Sequence, residues 1–218
     1  MSIGNLTRVV TQIDDIDWRE GMVAYPRYRD TMQRLGDHYG YSLSSTTAAF
    51  CALSPNNDYW SNLRSLVTLM RGRNLGADPE DLIVSTYNQC KFRAWKYLNG
   101  DDFLAATRGP KTRAFYRNII DPSDTVPVAV DGHMYSIWVG ERLTMVDAVR
   151  RRIKYEIVAE GIRVVAKHMG VIPNQLQSML WFTWKRVNGI KYKPQMGLFY
   201  GEDQWRLVVD PSEVECFD

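Results

Sequence analysis

No stretch of the 218 residues is long and apolar enough to suggest a membrane span, and the N-terminus shows no basic-then-apolar leader pattern. Cysteine is scarce. Cys51, Cys90 and Cys216 stand far apart and match neither a disulfide framework nor a zinc or iron–sulfur spacing. Histidine is equally thin, with three scattered residues, so no protein-built metal site and no cofactor is expected. A reducing, cytoplasmic setting fits this usage. Repeats and low-complexity tracts are also missing, which excludes solenoids and compositional linkers. The net charge of +2 is too small to announce a nucleic-acid partner by itself.

What is present is ordinary globular material, with 45% hydrophobic and 24% charged residues, in a chain long enough to bury a real core. Positive charge is local rather than global. Arg71 and Arg73 flank a glycine, Arg108, Lys111 and Arg113 cluster, and Arg150, Arg151, Arg152 and Lys154 form a short run. Such groups suit either a phosphate-contacting face or a solvated helix surface.

The hydrophobic period is helical along most of the chain from Pro26 onward. Helices are expected over 44–53, over 59–70 behind an Asp58 cap, and over 79–98 behind Asp78-Pro79. A short helix, tight turn and second helix follow over 102–106, 107–110 and 111–120. The run 126–130 leads to Asp131, and longer helices are expected over 146–169 and 174–187. The tail reads differently, as a β-hairpin pairing 196–200 with 205–209. The fold class expected is therefore mainly α with a small C-terminal β-hairpin.

The sharpest local feature is Arg108-Gly109-Pro110-Lys111-Thr112-Arg113, followed by Val126-Pro127-Val128-Ala129-Val130-Asp131-Gly132-His133-Met134. These residues resemble the helix-hairpin-helix DNA glycosylase superfamily, nearest in wording to its 8-oxoguanine branch. In that family the hairpin ends in Gly-x-Lys, and an aspartate follows about twenty residues later in a hydrophobic–Asp–x–His context. Here Lys111 and Asp131 stand twenty positions apart. Upstream, Ser54-Pro55-Asn56-Asn57 occupies the place of a segment that fills the hole left by a flipped base. The family's first hairpin glycine is replaced by Thr107, and its 8-oxoguanine-reading residues have no counterpart here.

The resemblance implies a two-lobed fold whose lobes meet at a cleft. Residues 1–218 would form one glycosylase-like unit. Its parts would be a central helical lobe (26–145) containing the hairpin (102–120), C-terminal helices (146–190) packed with the N-terminus, and the hairpin tail (191–218). It further implies base excision from double-stranded DNA by a bifunctional enzyme, hydrolase and lyase, acting on a damaged or modified base after flipping it. Two other functions stay open. One is a phage-type enzyme that remodels hypermodified thymine on the same scaffold, in a phage-infected cell. The other is a non-catalytic DNA-binding module.

The chemistry explains why these residue types matter. Breaking an N-glycosidic bond builds positive charge on the sugar, which a fixed carboxylate such as Asp131 stabilises. An amine such as Lys111 can then bond C1′ as a Schiff base. To do so it must lose its proton. A helix N-terminus shifts a lysine by less than about one pKa unit, so desolvation has to supply the rest. Lys111 and Asp131 are thus the catalytic candidates, and Asn56, Asn57, Arg108, Gly109 and Arg113 the DNA-binding ones. Phe115, His133, Gln177, Trp181 and Trp184 are candidates for a base pocket. Each has a plainer reading. Asp131 suits a helix cap, the Asn pair a turn, the aromatic stripe a core, and Glu156 and Glu160 ion pairs along their own helix.

Overall fold

Capping aspartates set the helix starts. Asp58 accepts from the Ser61 amide at 3.0 Å, and Asp102 Oδ1 accepts from Leu104 and Ala105 at 2.8 and 3.1 Å. Asp131 does the same for the helix that follows it. Each satisfies amides that a helix otherwise leaves without partners. In the computed structural model, which describes residues 2–144, 147 and 150–190, the α-helices run in this order. They are α1 (Ile3–Val10), α2 (Asp15–Tyr39), α3 (Leu43–Leu53), α4 (Tyr59–Asn74), α5 (Asn88–Leu98), α6 (Phe103–Ala106), α7 (Pro110–Ile120), α8 (Gly132–Val139), α9 (Tyr155–Met169) and α10 (Pro173–Val187). One 3-10 turn, Pro79–Asp81, separates α4 from α5. Every regular element among the described residues is helical, as the expected mainly α class requires. The expected β-hairpin at 196–209 lies outside the described residues.

Two compact units result. One holds the described residues of 1–27 and 109–190, and the other holds 28–108. α2 contributes to both, and Pro26 lies inside it just before the point of division.

In the 28–108 unit, α3 is buried along almost its whole length and packs against α4 and α5. The Phe50, Tyr28 and Tyr59 rings meet at centroid distances of 5.3–6.2 Å. The helix expected over 79–98 is interrupted. Only the 3-10 turn forms at its start, and residues 82–87 are not helical. β-Branched Ile83, Val84 and Thr86 favour an extended chain. Local side chains then hold it: Thr86 Oγ1 donates to the Pro55 carbonyl at 2.6 Å, and the Ser85 amide donates to Ser65 Oγ at 3.0 Å. Buried Lys91 donates to the Glu80 and Leu82 carbonyls from the other side.

In the other unit, α1 packs against α8, α9 and α10 around Leu6, Val130, Met134, Ile137, Val158, Ile162 and Leu180. The helix expected over 146–169 is interrupted: residues 147 and 150 are helical, residues 151–154 are not, and the long helix runs from Tyr155. The Thr144 and Asp147 side chains each accept from the other's amide, and Arg152 takes a left-handed φ of 52°, which breaks the helical path before Tyr155. Trp138 lies directly on Gly161, where an added Cβ would come within 3.0 Å of its ring Cη2. That close approach holds α8, and hence Asp131 at its start, tightly against α9.

Candidate active site

The run 126–130 has no sheet partner, so its backbone groups need others. Tyr155 at the start of α9 supplies two. Its hydroxyl donates to the Val128 carbonyl at 2.6 Å and accepts from the Val130 amide at 3.2 Å. Burial pushes the Tyr155 phenol up to about 12, so it stays a neutral donor. Arg163 Nε donates to the Val126 carbonyl at 2.9 Å, and the same guanidinium pairs with Glu156 and Glu160 on α9. Those two glutamates form ion pairs along their own helix, three and seven residues from Arg163 rather than at the i,i+4 spacing expected. With Val128 and Val130 in the core, the approach to Asp131 is fixed at both edges.

Asp131 is half-buried at the N-cap of α8. Its Oδ1 accepts from both the His133 and Met134 amides at 2.9 Å, while Oδ2 takes neither bond. Capping therefore leaves one carboxylate oxygen for other work. The His133 ring stands edge-to-face with Trp181 of α10, with centroids 6.0 Å apart and planes at 83°. One turn further along α10, Lys185 Nζ sits 3.7 Å from the Trp181 ring centroid, a close cation–π contact. Burial pushes the Lys185 ammonium below its ordinary value, and the Asp131 carboxylate pulls it back up. His133 is lowered by burial too, with Asp131 opposing and the Lys185, Arg142 and Lys111 cations adding to the drop. His133 thus registers the charges of Asp131, Lys185, Arg142 and Lys111 together.

Of the residues proposed from sequence, Lys111, Asp131, His133, Gln177 and Trp181 all belong to the 109–190 part of this unit. Lys111 is exposed in the first turn of α7. Gln177 is buried, and its Oε1 accepts from the Tyr25 hydroxyl at 2.8 Å. Phe115 is half-buried, edge-on to the same Tyr25 ring at 6.1 Å. Trp184 packs into the hydrophobic core with its indole nitrogen buried. Arg113 is exposed on α7.

Gly109 precedes α7 with φ −68°, a value any residue adopts, and an added Cβ would meet only Thr112 Oγ1 at 3.8 Å. The protein's own packing therefore places no demand for glycine there. Asn56, Asn57 and Arg108 belong to the other unit. Asn56 forms the tight turn, with φ 54°, and Asn57 Nδ2 donates to the Leu53 carbonyl at 3.3 Å. Arg108 is exposed. Sequence reasoning passed over Tyr155 and Lys185. The spacing 177, 181, 185 on one helix was the available signal for the second.

Among the described residues no group of three His, Cys, Asp or Glu side chains is placed to hold a metal ion, and no helix is long and apolar enough to cross a membrane.

Residues 2–188 match a family of unknown function, DUF7178, over most of the chain. The chain belongs to the DUF7178 family. Neither the curated proteins nor the solved structures offer a match to it. The site of this DUF7178 member has a chemistry set by Asp131, His133, Trp181 and Lys185.

That chemistry has a pH signature. A histidine lowered by burial favours its neutral form in the fold. It contributes stability that is fully present above its unfolded value, near 6.5, and lost as pH falls through the folded one. A proton-NMR titration is expected to place the His133 midpoint below 6.5. Asp131→Asn moves it lower still by removing the one opposing charge. A midpoint at or above 6.5 contradicts this arrangement.

Proposed function

We propose that the protein is a DNA N-glycosylase with lyase activity, which flips a damaged or modified base and breaks its bond to the sugar. The observation that carries this reading is the gathering around His133. The half-buried Asp131 carboxylate, the Trp181 ring and the Lys185 ammonium gather at the start of α8, and the charge of Lys111 acts on the same histidine. The carboxylate suits an oxocarbenium-like sugar, an aromatic face suits a displaced base, and an amine suits covalent capture of C1′. The hairpin residues support the same reading. α7 begins without a side-chain cap, so its first amides and the exposed Lys111 and Arg113 are suited to a phosphate. Gly109, which internal packing does not require, lets a backbone approach closely.

The test is incubation with duplexes carrying a panel of modified bases, followed by mass spectrometry of what is released. Free base is expected from at least one duplex. Affinity is expected to fall by about 10³ or more between 50 and 200 mM salt, if about six phosphates are contacted. A changed base mass within intact DNA would indicate remodelling of a modified base instead. Salt-insensitive binding without base release would overturn the nucleic-acid reading.

A further inference from the structure

The two lysines of the site differ in a way that the motif does not show. Lys111, the motif lysine, is exposed beside the uncapped amides of α7, where a point charge complements a phosphate. Lys185 is half-buried on α10, its ammonium held 3.7 Å from the Trp181 ring centroid, and Trp181 in turn touches the His133 ring that follows Asp131. Gln177, Trp181 and Lys185 recur every fourth residue and so line one face of α10. The Asp131 carboxylate opposes the effect of burial on the Lys185 ammonium. Through Trp181 the lysine is thus set beside His133, two residues from the carboxylate that would face the sugar.

Resting on the glycosylase reading, we propose that Lys185 is the amine that bonds C1′ of the sugar, and that Lys111 serves the DNA backbone. The nucleophile must be neutral, and desolvation is the effect large enough to deliver a neutral lysine. Burial acts on Lys185 in that direction. The Trp181 face presents the lysine at a fixed height above an apolar surface, which limits the freedom it would lose on reaction.

The Nζ lone pair forms the bond to C1′, and the glycosidic electron pair leaves with the base. The base takes up a proton released from the new ammonium. The nitrogen's remaining pair then forms the C=N bond while the C1′–O4′ pair moves onto O4′, which takes one proton from solvent. The product is an iminium, and borohydride reduces it to a stable secondary amine. On a sugar that has already lost its base, the same amine condenses with the C1′ aldehyde and expels water.

The abasic site is the right probe because it needs no knowledge of the base. A duplex carrying one, made by removing a uracil, is treated with the protein and sodium borohydride, and the adduct is mapped by peptide mass spectrometry. The bond is expected on Lys185. Lys185→Arg keeps a cation over Trp181 and removes the nucleophile. It should keep its melting temperature and its DNA affinity, yet lose the adduct by about tenfold or more. Lys111→Ala should retain the adduct at saturating DNA and bind more weakly.

An adduct that maps to Lys111 and survives in Lys185→Arg overturns the inference and leaves the lyase reading standing. Base release without any wild-type adduct overturns it in favour of attack by water. Absence of adduct, base release and DNA binding together overturns both this inference and the glycosylase reading.

Discussion

On the proposed glycosylase function, Asp131→Asn is expected to slow base release by about 100- to 1,000-fold, the usual loss when one preorganised electrostatic partner of a transition state is removed. That corresponds to about 2.7–4 kcal/mol of barrier. The substitution is unusually clean here. Both amides of the α8 start are held by Oδ1, and an asparagine Oδ1 accepts them equally well, so only the charge is lost. Melting temperature and DNA affinity should therefore stay near wild type, because the carboxylate acts mainly on charge that appears as the bond breaks.

A second readout separates charge stabilisation from damage to the site. Asp131 holds the Lys185 ammonium up, so its removal lets that lysine deprotonate more readily. Capture of a preformed abasic site, which needs no oxocarbenium stabilisation, should survive in Asp131→Asn when base release does not. Base release at the wild-type rate would remove Asp131 from the chemistry. Parallel loss of both activities would point instead to a distorted α8.

The features legible in the sequence were those governed by local chemistry. Asp58 and Asp131 announce helix starts because a short carboxylate reaches amides two and three residues ahead. The hairpin helices α6 and α7 and the last helix, α10, begin within about a residue of where proline and cap signals put them.

What differs was decided by partners distant in sequence and by local backbone features that no periodicity marks. Residues 82–87 leave the helical path because Ser65, on α4, and Pro55 satisfy their neighbours' groups. The break before Tyr155 rests on a left-handed Arg152 that no periodicity marks. Weak periodicity leaves residues 1–25 open as a short extended or helical lead-in, and Pro26 reads as a boundary although it lies inside α2. The site divides the same way. Lys111 and Asp131 are visible as a spaced motif. Lys185 comes to the start of α8 only because α8 and α10 bring His133 against Trp181. Tyr155, which anchors the run before Asp131, acts from twenty-five residues downstream.

Arg186→Leu is expected to be the most damaging change away from the reacting groups. Asp17, near the start of α2, is only 2% exposed, yet it carries a carboxylate. Its Oδ2 accepts from Thr183 Oγ1 at 2.8 Å and from Arg186 Nη2 and Nε at 2.6 and 3.1 Å. Arg186 also donates to the Gln12 carbonyl at 2.6 Å and pairs with Asp14 at 3.1 Å. This one guanidinium therefore ties the α1–α2 connection and the start of α2 to the end of α10, beside Lys185.

Removing it leaves a buried charge with a single hydroxyl. Breaking a buried pair costs about 3–5 kcal/mol, but the Arg186 side chain is 40% exposed, and solvent screening discounts that to about 2–3 kcal/mol. For a chain of this length each kcal/mol is worth about 2–4 °C, so thermal melting should fall by about 5–10 °C. Adding Asp17→Asn to Arg186→Leu removes the stranded charge and should recover a large part of the loss, because the penalty lies in the orphaned carboxylate more than in the missing attraction. A single variant that melts within about 2 °C of wild type, or a double variant worse than the single, would show that this cluster does not hold α2 to α10.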